Sequence, residues 1–236
     1  MKILIGCPTS DRYEYCVEIW LKRVQEIIDF SKHHEIEYLL VDNSKSDDFF
    51  NKIKKEGVKI IKAPYFEDVK ERIVHSRNIL RDKALNGGFD LFLSLEQDVI
   101  PPTDVLERLS RHNKKIISAY YGKPMGLRLQ DKETGEIKNV IVELPLVYLQ
   151  DGDKIRRANP SEVLKRGLIK VGAFGVGCLA IQREVLEKIK FRCEKGKEAF
   201  DDMYFCSDAK KLGYELFLDS EIKVAHLHQP WEKANS

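Results

Sequence analysis

The sequence predicts an α/β domain with a mainly parallel central sheet flanked by helices and a β-hairpin insertion in its second half. Two observations support this fold class. Short β-branched runs alternate with helical patterns through the first hundred residues, and acidic residues end two of these runs, at Asp42 and at Glu96 with Asp98. A β-α-β-α-β-α-β order is typical of parallel sheets covered by helices on both faces. Such sheets bind ligands at the carboxyl ends of their strands, where these acidic residues lie.

The first half contains four predicted strands and three predicted helices. Residues 13–32 carry apolar side chains with the 3.6-residue period of a helix. A second helix, residues 68–86, ends at two glycines, which is a common stop signal. The third is short and polar, near residues 46–55. The predicted strands are residues 2–7, 37–42, 58–63 and 89–96.

The second half is less regular. Residues 123–166 are predicted to be an insertion that starts with a β-hairpin around the turn at residues 131–135 and continues as a polar, loop-like segment suited to a lid. No repeat or linker interrupts the chain, so residues 1–236 are predicted to form one domain. The other predicted elements are helices at 103–111 and 200–213, and strands at 115–122, 168–181, 214–219 and 222–228.

Composition narrows the class of protein. The 236 residues are 43% hydrophobic, and 40 basic against 38 acidic residues give a net charge of +2, so no basic field favours nucleic acid as a partner. The five cysteines are scattered and form no CxxC pair, which favours a reducing compartment. The longest apolar run, residues 171–181, is about half the ~20 residues that span a bilayer. We expect a cytoplasmic protein without a transmembrane segment, for which peripheral membrane contact stays open.

The stretch "LFLSLEQDVIPP", residues 91–102, ends an apolar strand in two carboxylates. Glu96 and Asp98 are two positions apart on an extended segment, so their side chains point the same way. Mg²⁺ or Mn²⁺ bound to phosphates typically takes one or two protein carboxylates and completes its shell with phosphates and waters. The motif alone fits an ordinary solvated strand end better than a metal site, so the rest of the sequence has to decide between the two interpretations.

Two further groups of side chains are candidates for chemistry. Asp201 and Asp202 begin a predicted helix, where one aspartate is enough to cap the helix and the other is available for another task. His226 and His228 lie on one face of the last strand and are either metal ligands or ordinary packed histidines.

Three glycines interrupt the apolar strand at residues 168–181. Glycine weakens a strand unless a bulge or a ligand needs the space, so Gly175 and Gly177 are expected where the backbone bulges or approaches a ligand closely. The spacing is not that of a dinucleotide-binding fingerprint, and Walker A, GxSxG and HExxH motifs are absent from the sequence.

The order of these motifs resembles that of GT-A glycosyltransferases, most closely the family 2 type, over roughly residues 2–228. "ILIGCPTSDR" is similar to the family's first strand and nucleotide-contacting loop, "LLVDNSKSD" to its second strand, and "HSRNILRDKAL" to its "aRN" helix. The resemblance implies a nucleotide-binding half at residues 1–100 and an acceptor and metal half at residues 101–236. The donor-binding residues that it implies are Pro8, Thr9, Asp42, Arg77, Asn78 and Gln97.

The same resemblance implies the metal and the catalytic residues. "LFLSLEQDVIPP" matches the metal-binding DxD stretch, here ExD, so Asp98 is the expected ligand of Mn²⁺ or Mg²⁺ and Glu96 a supporting one. "VAHLH" resembles the ending whose histidine, here His226, completes the metal site. "FDDMYFCSDAKKLGYELFLD" is similar to the stretch that carries the catalytic base of inverting members, which places Asp202 at the base and Asp201 beside it.

The resemblance implies metal-dependent transfer of a sugar from a nucleotide-diphospho-sugar to an acceptor hydroxyl of unknown identity: a glycan, a lipid-linked group or a protein. Gly175 and Gly177 are then expected where the backbone approaches the sugar or the acceptor. Two alternatives are weighed against this transfer. A sugar-phosphate nucleotidylyltransferase shares this sheet type but expects a glycine-rich first loop, which "CPTSDR" lacks. A non-catalytic nucleotide- or carbohydrate-binding module would bind the same ligands without turnover.

Overall fold

The computed structural model describes residues 1–130, 135–164 and 166–227. Its centre is an eight-stranded sheet with the order β11-β14-β6-β13-β4-β1-β2-β3. The strands are β1 (Lys2–Thr9), β2 (Glu35–Asp42), β3 (Ile60–Lys62), β4 (Leu91–Leu95), β5 (Val99–Ile100), β6 (Ile116–Tyr120), β7 (Gly122–Gln130), β8 (Ile137–Pro145), β9 (Val147–Asp151), β10 (Lys154–Arg157), β11 (Leu168–Val171), β12 (Ala173–Phe174), β13 (Cys178–Gln182), β14 (Leu216–Lys223) and β15 (Ala225–His226).

Helices flank this sheet. A 3₁₀ turn at Asp11–Cys16 precedes the first of them. The α-helices are α1 (Val17–Phe30), α2 (Asp48–Lys55), α3 (Val69–Asn86), α4 (Val105–Ser110), α5 (Pro160–Val163), α6 (Arg183–Lys188) and α7 (Asp201–Lys211).

The sheet is mainly parallel, as predicted. Strands β1, β2, β3 and β4 pair in parallel, and so do β6 and β14. Only β11 and β13 run the other way, β13 being inserted between β4 and β6. The sequence analysis did not predict this antiparallel insertion.

Both faces of the sheet are covered by apolar cores. Along β1 the side chains alternate, so that Leu4 packs with Phe92 and Leu80 on one face while Ile3 packs with Trp20 on the other. Strands buried on both faces show a nearly continuous apolar run, which is why the strand patterns were readable in the sequence. The carboxyl ends of β1, β2 and β4 are thereby fixed side by side at one edge of the sheet.

The glycine-rich segment at residues 168–181 forms three strands, and its prediction as one strand was wrong. β11 pairs with β14, β12 joins the small sheet with β9 and β10, and β13 returns to the central sheet. Gly172 separates the first two strands, and a Cβ there would lie 2.7 Å from the Ile155 side chain. Close packing of the chain at these glycines therefore replaces a continuous ladder.

The insertion contains the predicted hairpin, in which β7 and β8 pair antiparallel from Gly122 with Pro145 to Gln130 with Ile137. Most of its predicted turn lies outside the described residues. The expected lid is instead partly structured: β10 pairs with β9, and α5 follows with Val163 fully buried. No helix in the described parts of the chain is both long enough and apolar enough to traverse a bilayer.

Candidate active site

Two adjoining cavities open at the carboxyl ends of the parallel strands. The larger has a volume of about 230 Å³ and the smaller about 140 Å³. Ile73, Arg77 and Glu96 line both and therefore form the wall between them. The larger cavity meets the loops after β1 and β2, and the smaller one meets the start of α7.

The end of β1 reaches the larger cavity through Pro8 and Thr9, two of the residues expected to bind the donor. The Thr9 hydroxyl donates a short hydrogen bond to the side-chain oxygen of Gln97, and both residues are almost fully buried. The Gln97 Nε2 has no hydrogen-bond partner within the described chain, although it is buried and its residue lines the cavity. Gln97 therefore keeps one amide group unpaired at the cavity wall.

Asp42 is not among the residues that line the two cavities, and its role as a nucleotide ligand stays a prediction. It is completely buried and accepts hydrogen bonds from the backbone N–H of Ser44 at 2.9 Å, from the Ser44 hydroxyl and from Lys62 Nζ at 2.8 Å. Its carboxylate is thus used to hold the loop after β2. The neighbours Asn43, Ser44 and Lys45 line the larger cavity in its place.

Arg77 is the centre of the shared wall. Its Nη1 donates to Ser94 Oγ at 2.8 Å, its Nη2 donates to Glu96 Oε1, and its Nε lies 2.5 Å from Asp201 Oδ2. Although burial opposes its charge, the two carboxylates raise the pKa of Arg77. Arg77 is therefore a fixed cation between the two cavities, in contact with both but held by the protein.

Asn78 was expected to bind the donor, but the structure turns it away from both cavities. Its Nδ2 donates to the Phe191 carbonyl at 2.9 Å, and its Oδ1 accepts from the Phe191 N–H at 3.0 Å. These two bonds use both polar ends of the amide. Asn78 and Arg77 point in different directions because successive residues of a helix are turned by about a quarter-turn. Asn78 fastens the 191 segment to α3.

Asp98 and His226 are brought together although 128 positions separate them. Strand β15 pairs antiparallel with β5, and His226 Nε2 lies 3.2 Å from Asp98 Oδ2. The other ring nitrogen, Nδ1, lies 2.9 Å from the Gly122 carbonyl, which can only accept, so Nδ1 carries a proton. Nε2 is therefore the nitrogen that faces Asp98. Its separation of 3.2 Å from Asp98 Oδ2 is close to the ~3 Å expected between two adjacent ligand atoms that each bind a Mn²⁺ ion at ~2.1 Å. One carboxylate and one oriented imidazole fit a divalent cation.

Glu96 is turned toward Arg77 and not toward this pair. Ligand atoms of Glu96, Asp98 and His226 do not all lie within 4.8 Å of one another among the described residues. Burial, opposed by Arg77 and aided by the carboxylates of Asp98 and Asp201, raises the pKa of Glu96. The arrangement favours Asp98 and His226 as the direct ligands, with Glu96 at the wall beside them. His228 lies outside the described residues.

Asp201 and Asp202 have different surroundings, although they are neighbours at the start of α7. Asp201 is buried against Arg77. Asp202 lines the smaller cavity, and its Oδ1 accepts the Met203 N–H at 2.7 Å. Burial and the adjacent Asp201 raise the pKa of Asp202 to about 6. Asp202 is thus a carboxylate poised to exchange a proton near neutral pH, whereas the Asp201 carboxylate is paired with Arg77.

Gly175 and Gly177 make room for Tyr121, which the sequence analysis did not single out. A Cβ at Gly175 would collide with the Tyr121 hydroxyl, and one at Gly177 would lie 2.7 Å from that hydroxyl and 2.9 Å from Glu96 Oε2. The hydroxyl accepts the Gly177 N–H at 2.7 Å, and the Tyr121 ring meets the His226 ring edge-on at 5.7 Å. Tyr121 lines the smaller cavity beside Gly175. The space next to the two glycines is therefore occupied by the Tyr121 side chain.

Side chains from separate segments of the chain complete the two cavities, and no motif in the sequence pointed to them. Arg12, Lys45 and Arg72 bring positive charge to the larger cavity. Lys45 Nζ lies 5.5 Å and the Arg72 guanidinium 4.9 Å from the centre of the Tyr65 ring. Phe200, 41% exposed, lines the smaller cavity directly before the two aspartates. No local pattern marks these residues, because only folding brings their segments together.

Solved structures of low sequence identity share this architecture. S. aureus TarS 1-349 in complex with UDP-GlcNAc is 15% identical, and the alignment covers all of this chain and 61% of that one with a TM-score of 0.59. GalNAc-T7 with UDP, GalNAc and Mn²⁺ is 12% identical, and the alignment covers 98% of this chain and 44% of that one with a TM-score of 0.63. No protein-family model and no curated protein sequence matches the chain. The chain has the GT-A fold, as its motif order predicts.

Proposed function

We propose that this protein transfers a sugar from a nucleotide-diphospho-sugar to an acceptor hydroxyl, with a divalent metal and with inversion at the anomeric carbon. The observation that carries the proposal is that Asp98, which meets His226, directly follows the cavity-lining residues Glu96 and Gln97, while Asp202 lines the smaller cavity. A leaving group and a proton acceptor are needed on opposite sides of a sugar that is displaced in line. The two cavities offer one place for each.

The larger cavity suits the nucleotide diphosphate. Its basic residues, Arg12, Lys45 and Arg72, match the charge of a diphosphate, and the unpaired amide of Gln97 offers a hydrogen bond to a polar base. The TarS and GalNAc-T7 structures hold UDP-GlcNAc and UDP respectively, so uridine is the first nucleotide to test. Residues 1–100 supply most of this cavity, in keeping with the proposed nucleotide-binding half.

Asp98 and His226 would hold the metal. A divalent cation there would stabilise the negative charge that develops on the leaving diphosphate. The GalNAc-T7 structure contains Mn²⁺, and a nitrogen ligand favours Mn²⁺ over Mg²⁺. Glu96 supports the site from the wall and is proposed as an indirect contact.

Asp202 is the proposed general base. Its carboxylate faces the smaller cavity, where an acceptor hydroxyl would approach, and its pKa of about 6 leaves it mostly ionised at neutral pH but able to accept a proton. Asp201 keeps Arg77 in position and is a positioning residue. Tyr121, Gly175 and Phe200 shape the acceptor side, to which residues 101–236 contribute most of the lining.

The two alternatives make different demands. A nucleotidylyltransferase needs its reacting phosphate to meet a sugar phosphate, yet the smaller cavity offers the carboxylates of Asp201, Asp202 and Glu96 to a second anionic substrate. A binding module does not need a carboxylate with a raised pKa at a cavity wall. The five cysteines are unpaired thiols, which supports the proposed cytoplasmic location.

The experiment is release of nucleoside diphosphate from a panel of UDP- and GDP-sugars by the full chain, stripped of metal and then supplied with Mn²⁺, Mg²⁺ or neither. Water serves as a slow acceptor, so no acceptor need be known. We expect release from at least one donor that depends on Mn²⁺. Nucleotide binding by calorimetry without any release would support the binding module, and release of pyrophosphate from a nucleoside triphosphate and a sugar phosphate would support the nucleotidylyltransferase.

A further inference from the structure

Outside the two cavities, His33, His34 and Glu107 form a compact group of side chains. His33 and His34 lie in the turn between α1 and β2, and Glu107 lies on α4. One oxygen of Glu107, Oε2, lies 3.2 Å from His33 Nε2 and 3.8 Å from His34 Nε2. The two imidazole rings stand side by side with their centres 4.0 Å apart. Two consecutive histidines thus converge on a single carboxylate from a remote helix.

We propose that His33, His34 and Glu107 form a second divalent-metal site, selective for a transition metal such as Zn²⁺. One ligand atom from each residue lies within 4.8 Å of the others. Zinc takes imidazole nitrogens and carboxylate oxygens at ~2.0–2.2 Å in tetrahedral geometry, so its ligand atoms are ~3.3–3.5 Å apart. The two separations from Glu107 Oε2 to the histidine nitrogens bracket that spacing, and a water molecule would complete the four ligands.

The chemistry of the group agrees with the geometry. Glu107 Oε1 is buried and has no hydrogen-bond partner among the described residues, so the carboxylate is incompletely satisfied by the protein. Glu107 and His34 are also mostly shielded from solvent, their side chains being 30% and 11% exposed.

The site is distinct from the proposed catalytic one. His34 Nδ1 lies 3.4 Å from the amino group of Met1, which precedes β1, so the group sits at the amino ends of the parallel strands. The catalytic candidates sit at their carboxyl ends. A metal here would not reach the sugar donor, and it would instead tie the turn after α1 to α4 as a structural cross-link.

The first test is zinc titration by calorimetry in an Asp98→Asn/His226→Ala background, which removes the proposed catalytic ligands. We expect about one equivalent of Zn²⁺ to bind, and binding to be lost when His33→Ala and His34→Ala are added. His75→Ala is the matched control, since it removes an imidazole that packs on Phe66 and lies outside the group. Equal zinc binding with and without the two histidines would overturn the proposal.

A second test keeps the catalytic residues intact. Zinc at a hundredfold excess over its Kd should raise the Tm of the natural chain by roughly 5–10 °C, and Glu107→Gln should weaken binding at this site more than about tenfold. Glu26→Gln, on an exposed carboxylate paired with Arg23, should change neither value. If Glu107→Gln and Glu26→Gln respond alike to zinc, the three side chains form only a hydrogen-bonded group. Neither test depends on glycosyl transfer, so each can fail without affecting the proposed function.

Discussion

Arg77 and Asp201 form a buried ion pair in which Arg77 Nε lies 2.5 Å from Asp201 Oδ2 and the side chains are 3% and 5% exposed. This pair decides which of the two neighbouring aspartates is available for chemistry. Asp201 is committed to Arg77, and Asp202 is left facing the smaller cavity. The two aspartates should therefore respond differently to substitution.

Asp202→Asn should lower the rate of sugar transfer by a factor of ~10²–10⁴, because no carboxylate would remain to take the proton from the attacking hydroxyl. Nucleotide binding in the other cavity should persist, since Asp202 does not line it. Steady-state kinetics and nucleotide calorimetry measure the two effects. Asp208→Asn, which removes an acid of the same helix that pairs with Arg192, is the control and should keep full activity. Full activity of Asp202→Asn would refute the assignment of the base.

The pH dependence of transfer should follow the ionisation of Asp202. A general base works only when deprotonated, so kcat/KM should fall about tenfold per pH unit below the pKa of about 6 and level off above it. Stability should change in the opposite direction. The Asp202 carboxyl binds its proton more tightly in the native chain than in the unfolded chain. The free energy of unfolding should therefore fall by up to ~3 kcal/mol as the pH rises from about 4 to about 6. Asp202→Asn should remove the contribution of Asp202 to both dependences, as measured by pH-rate profiles and urea unfolding.

Asp201→Asn should destabilise the protein by roughly 3 kcal/mol, because it leaves the buried Arg77 cation with a single carboxylate, Glu96. Urea unfolding measures this loss. Asp82→Asn is the matched control, since Asp82 pairs with Arg81 at the surface and is 54% exposed. It should cost no more than ~1 kcal/mol. Similar losses for the two variants would contradict the structural weight given to the buried pair.

Gly175→Ala should cost ~1–3 kcal/mol, because its Cβ would collide with the Tyr121 hydroxyl. Tyr121→Phe removes that oxygen, so the double variant should be more stable than the sum of the two single changes predicts. A double-mutant cycle by thermal or urea unfolding should give a coupling of about 1 kcal/mol or more. Gly126→Ala, where a Cβ would meet nothing within 4 Å, is the neutral control. Additive losses would show that the collision is relieved by other movements.

Asp98→Asn should weaken Mn²⁺-dependent nucleotide binding by more than about tenfold while leaving metal-independent binding unchanged, because the variant loses a charged ligand beside His226. Nucleotide calorimetry with and without Mn²⁺ makes this comparison. Asp104→Asn, on an exposed carboxylate whose weak contact with Arg108 is 4.0 Å long, serves as the control. An unchanged Mn²⁺ effect in Asp98→Asn would place the metal elsewhere.

Local patterns in the sequence determined most of the fold. The 3.6-residue period of α1 and the continuous apolar runs of β1 and β4 depend only on neighbouring residues, and they sufficed for the α/β class and the mainly parallel sheet. The glycine-rich segment was misjudged because its division among two sheets depends on strands far away in sequence.

For the candidate site too, the sequence predicted part and the tertiary structure decided the rest. The sequence by itself identified Asp98, Asp202 and His226 as candidates through their motifs. Only the tertiary structure showed that the Asp42 carboxylate pairs with Lys62 and that Asn78 hydrogen-bonds the Phe191 backbone. It also showed that the Tyr121 side chain occupies the space next to Gly175. The physical reason is that side-chain direction and burial follow from packing between distant segments. A pattern of residue types along the chain states which groups are present, and the fold decides which of them remain free to meet a ligand.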